Sequence, residues 1–167
     1  MVDHYGPIFL ELLRTPFRHT ELVWGIVPLY FGWLINELTS SRATFRTAVQ
    51  TGFGFLWAGA HWIFQIFSSR LGNAPTLNLN TLFALNILVT FFVLVVGMAA
   101  LASGLRRKYP KYCSFLGHTR FSNYFMIAIF PIQSNYLAWS WARLVAILLF
   151  AVPSWLILHF GLMPFRK

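Results

Sequence analysis

Apolar positions along this chain collect into long runs divided by short polar joints, and the first run differs in kind from the rest. In residues 6 to 18, "GPIFLELLRTPFR", Ile8, Leu12 and Leu13 can face one way while Glu11 and Arg14 face the other. That pattern predicts an amphipathic helix lying on a membrane surface, with Pro7 suited to its first turn and Pro16 ending it. Five apolar runs follow, at residues 21–37, 47–67, 82–105, 121–139 and 142–163. The run over 82–105 is the cleanest, and at about 1.5 Å per residue it reaches about 36 Å, enough to cross a bilayer with some tilt. Pro28 predicts a kink in the first run and Pro153 interrupts the last. The fourth run carries Pro131 and Gln133, and crossing, kinking and re-entry all remain open for it. The expected fold is all-α: a single polytopic membrane bundle of five transmembrane helices, the fourth of them the uncertain one, preceded by the interfacial helix over 1–20.

Composition supports the membrane reading. Apolar residues make up 57% of the 167 and charged residues only 10%, whereas a soluble domain carries about 25% charge. The net charge of +9 points to membrane orientation rather than to nucleic acid, because the basic residues stand at the ends of the apolar runs. With five crossings, one side holds Arg14, Arg18, Arg70 and Arg143. The other holds Arg42, Arg46, Arg106, Arg107, Lys108, Lys111, Arg120, Arg166 and Lys167. Four crossings give a weaker bias. The richer side is expected in the cytoplasm, with the loop residues Arg106, Arg107, Lys108 and Lys111 against anionic lipid head groups or an acidic partner. A lone cysteine, Cys113, excludes an internal disulfide and a paired-cysteine redox or metal motif. The opening "MVDHYG" lacks the basic region of a cleavable signal peptide, so none is expected.

Ionisable groups inside apolar runs are candidates for function. His61 sits in "GFGFLWAGAHWIF", and in a five-span chain Gln65, Asn86 and Arg143 fall toward the same outer half as His61. Those four form a candidate polar cluster, either holding helices together or lining a pathway. Glu37 and His159 fall toward the cytoplasmic side, Glu37 with Arg42 and Arg46 as candidate partners. Haem held between His61 and His159 requires the two at one depth. Five crossings separate them by about 15 Å along the bilayer normal, whereas four bring them level. Gly52, Ala58 and Gly59, and likewise Gly97, Ala100 and Gly104, are small positions that let helices approach closely.

The chain has no zinc-protease, serine-hydrolase or nucleotide-loop motif and no aspartate inside a run. The expectation is a non-enzymatic subunit of a membrane complex or homo-oligomer, with no metal or cofactor. A small transporter or channel is the alternative, and a haem- or quinone-binding redox subunit comes third. Small size and short joints suggest a prokaryotic inner membrane.

Overall fold

The computed structural model describes residues 2–39, 45–71, 81–107, 111 and 119–162. Helix accounts for 92% of it, and no strand occurs among the described residues. Among the described residues six helices follow one another: α1 (Val2–Arg18), α2 (Thr20–Thr39), α3 (Phe45–Leu71), α4 (Thr81–Arg106), α5 (Thr119–Gln133) and α6 (Trp141–Gly161). Each expected run therefore falls on a helix. α4 and α6 are long and apolar enough to cross a membrane, with mean hydropathies of 2.5 and 2.1, and a shorter apolar stretch covers Thr20–Ile35.

Side-chain pairings fix the helix directions. α2 and α5 run antiparallel, since Trp33 meets Tyr124 while Gly25 faces Phe130 and Glu21 bonds Tyr136. α5 and α6 form a helical hairpin through residues 134–140, where the Tyr124 hydroxyl donates to the Ile147 carbonyl at 2.6 Å. α3 and α4 are likewise antiparallel, packed through the small positions anticipated from sequence. A Cβ at Gly52 would stand 2.5 Å from the Leu101 backbone nitrogen, and one at Gly104 would stand 2.9 Å from the Phe45 carbonyl oxygen. The missing side chains thus let the two backbones touch. α2 joins this pair to the rest, with Gly54 beside Leu29 and the Trp57 indole donating to the Trp24 carbonyl at 2.8 Å. All six helices consequently alternate in direction. One end of the bundle gathers His19, the start of α4 and the 134–140 turn; the opposite end carries Arg46, Arg106, Arg107 and Lys111, all exposed.

Three local expectations fail. α1 does not lie apart as a surface helix: it packs antiparallel to α6, with Phe9 stacked on Phe150 at 4.8 Å and Leu12 fully buried. The same apolar stripe that suits a membrane surface suits the groove between α2, α5 and α6, and Glu11 finds a cationic partner there. Nor does Pro16 end α1. The helix runs to Arg18, and the Thr15 hydroxyl occupies the Glu11 carbonyl at 2.7 Å. α5 also stops earlier than residue 139. Asn135 takes a left-handed conformation (φ 61°), and the amides of Tyr136 and Leu137 turn back to the Pro131 carbonyl, both at 3.1 Å. Such a backbone turn is how helices commonly end.

α5 is the central element, with Met126 through Ser134 all buried. Around it lie Leu22, Ile26 and Leu29 of α2, Trp62 of α3, and Ala146 and Ile147 of α6.

Candidate functional site

Polar side chains concentrate at the end of the bundle that holds the 134–140 turn. Ser140 opens α6 as its N-cap, its hydroxyl accepting from the Arg143 amide at 3.2 Å. That cap fixes the turn and aims the Arg143 side chain. The guanidinium donates to the Ala138 carbonyl at 2.5 Å and lies 3.3 Å from the Glu11 carboxylate of α1. From the other side of the turn, the buried Asn86 of α4 donates to the Asn135 side chain at 2.8 Å and accepts from the Trp139 indole at 2.5 Å. The Tyr136 hydroxyl donates to the Glu21 carboxylate, and its ring lies 4.5 Å from that of His19. Three elements, α1, α2 and α4, are thereby latched to one turn. The turn lies beyond the ends of the helices it joins, and burial pushes the Tyr136 phenol up to about 12, helped by the hydrogen bond and negative charge of Glu21.

His61 lies deeper. Its ring stacks on Phe130 at 5.5 Å, and the space for both rings exists because residue 25 of α2 has no side chain: a Cβ there would overlap each. Trp62, fully buried, also meets Phe130, at 5.8 Å. Residues 133 and 134 follow Phe130 by three and four positions and so share its face of α5. Gln133 is completely buried and Ser134 almost so, and neither side chain has a hydrogen-bond partner among the described residues. The same holds for His61 Nε2 and Trp62 Nε1. Gln65, half-buried, stands one turn beyond His61 on α3.

The four residues expected to cluster are therefore divided. Asn86 and Arg143 come to the same turn but are occupied by different partners, while His61 and Gln65 belong to the α3 face that looks toward α5. His159 is near the far end of α6, between Trp155 at 5.2 Å and Phe160 at 5.4 Å. Because α3 and α6 run in opposite directions, His61 and His159 lie toward opposite ends, and one haem iron cannot take both. No three His, Cys, Asp or Glu converge to hold a metal among the described residues. The side chain of Glu37, and Arg42, Lys108 and Cys113 altogether, lie outside the described residues. Arg106, Arg107 and Lys111 are exposed, and Arg107 closes α4 in a left-handed conformation (φ 52°).

Glu11, Asn135, Tyr136 and Trp139 are missing from the sequence-based candidates. The run "PIQSNY", with serine and asparagine just after a proline-bearing apolar stretch, carries the turn signal that would have located Asn135 and Tyr136. Comparison with known protein families, curated proteins and solved structures finds no match to this chain.

Proposed function

We propose that the chain is a five-span integral membrane protein that serves as a non-enzymatic assembly subunit, associating with itself or with other membrane proteins. One observation carries the reading: the polar groups at the turn end are used to bind helices to each other, while the longest apolar helices present their faces outward. Only 28% of the apolar window of α4 and 18% of that of α6 is buried. Phe91, Phe92 and Met98 of α4, and Leu148, Val152 and Ile157 of α6, stand exposed. In water such faces would drive aggregation; in a bilayer they suit lipid tails and neighbouring spans. On this reading α2 to α6 cross and α1 lies in the groove between α2, α5 and α6, with Leu12 buried against them and Leu10 and Phe17 on its exposed side. The basic end faces the cytoplasm, and a prokaryotic plasma membrane fits the short joints. Sizing of the full chain in detergent, combined with cross-linking in membranes, tests the assembly role. A defined oligomer or complex supports it, and a strictly monomeric particle in both settings overturns it.

A second reading, a pathway for small uncharged polar solutes, is favoured by the unpartnered polar atoms of His61, Trp62, Gln133 and Ser134. Buried groups of this kind cost about 1–3 kcal/mol each when nothing pairs with them. Solute uptake by reconstituted liposomes discriminates. Glycerol or urea flux abolished by His61→Ala and Gln133→Leu supports a pathway; no flux above empty liposomes removes it.

A further inference from the structure

We propose that a cleft on the outer side of the α3–α4 pair binds the hydrocarbon tail of a membrane lipid. The inference rests on the membrane reading above and goes beyond it by naming a ligand and a site. The cleft encloses about 310 Å³ in the half of the pair nearest the 134–140 turn. Ile66 and Thr90, both buried, form its floor; Ile63 and Phe67 of α3 and Ile87 and Phe91 of α4 stand exposed along its walls.

The seam explains why the cleft lies in this half. Toward the basic end, Gly52, Gly97 and Gly104 bring the backbones together. Beyond Gly59 the seam has no more glycine, and branched and aromatic side chains rise on either side of it. Those residues wall a furrow running from Leu94 to Phe83, about 16 Å along α4.

The chemistry of the lining selects the occupant. Its one hydroxyl, on Thr90, already donates to the Asn86 carbonyl at 2.8 Å. Nothing is left to replace the water around a polar solute, so such a solute would be desolvated without compensation. A narrow apolar chain has no hydrogen bonds to lose on entering, and it exchanges contacts with fluid tails for contacts with the aromatic walls, against the cost of ordering the chain. α4 is the most apolar of the membrane-length helices, and the medium along its outer face at this depth is lipid hydrocarbon, which supplies such a chain directly.

The test uses the full chain in phosphatidylethanolamine–phosphatidylglycerol liposomes doped with a phospholipid that carries a diazirine midway along one acyl chain. After irradiation, adducts are mapped by peptide mass spectrometry. Labelling of Ile63, Ile87 and Phe91 should exceed that of Leu148 and Val152 on α6 severalfold. Ile87→Trp and, separately, Phe91→Trp, which crowd the cleft from exposed positions, should reduce it to the α6 level with an unchanged elution profile. Equal labelling of cleft and α6 in the unsubstituted protein overturns the site while leaving the membrane reading intact. So does replacement of lipid adducts by cross-links to a second copy at the same residues. Absence of adducts on α6 as well as in the cleft overturns both.

Discussion

At the scale of single residues, the turn between α5 and α6 depends on a few side chains that each answer different partners: a backbone group, a carboxylate, or another polar side chain. Asn86 has the most to lose. Asn86→Leu removes the acceptor of the Trp139 indole and the donor to Asn135, stranding two groups at a part-buried site. The expected cost is about 1–3 kcal/mol, read as a lower midpoint of thermal unfolding in detergent, and an unchanged midpoint would show that the latch carries no weight. Tyr136 gives the turn a dependence on pH. An ordinary phenol loses its proton near pH 10, and this one holds it to about 12. The unfolded chain thus deprotonates first, so the stabilisation is fully present below pH 10 and disappears as pH rises from 10 to 12. Tyr136→Phe should flatten the stability profile over that window, which chemical unfolding at several pH values measures. His61, Gln65, Asn86 and Arg143 were legible as polar positions within apolar runs. Their partners were not, because the Arg143–Glu11 pair spans 132 positions and the stack on His61 requires a glycine from a third helix. A periodic pattern records which face of a helix is apolar and is silent about which distant helix meets it.

Among the elements, α3 and α4 were the most readable, since small residues repeating along two neighbouring runs describe a close seam directly. The seam makes a graded prediction. Gly52→Ala would set a methyl group against the Leu101 backbone nitrogen and the Gly97 carbonyl, neither of which can swing aside. Overpacking of that sort costs about 1–3 kcal/mol. Gly54→Ala on the same helix meets only the Leu29 side chain, at 3.4 Å, and should be neutral or gain up to about 1 kcal/mol from helix propensity. Thermal unfolding of the two variants side by side separates seam from propensity; equal effects would mean that the backbones do not touch. α1 was less readable, because an amphipathic stripe fits a bilayer surface and a protein groove equally well. α5 was marked by its proline and glutamine as irregular, but its central place follows from contacts with α2 and α6 that only the folded chain displays.

For the whole molecule, alternation of the six helices gathers Arg46, Arg106, Arg107 and Lys111 at one end and leaves Arg18 and Arg143 at the other, and orientation can be checked without altering that distribution. Cys113 is the one thiol in the chain and belongs to the basic segment. With Cys113 replaced by serine and Ser140→Cys introduced at the turn, a membrane-impermeant maleimide should label intact cells. The parent chain should be labelled only after the cells are opened, and the reverse result would invert the proposed topology. The order in which the helices touch also bears on biosynthesis. α3 and α4 are consecutive and can close their seam as soon as both have left the ribosome. α2 packs on its sequence neighbours α1 and α3, but its Gly25 and Gly32 also meet α5, which is complete only at Gln133, 94 residues after Thr39. At 5–20 residues per second that is a delay of roughly 5–20 s. On the proposed membrane reading, the face of α2 that α5 will cover is sheltered through that interval by lipid, by the insertion machinery or by a chaperone.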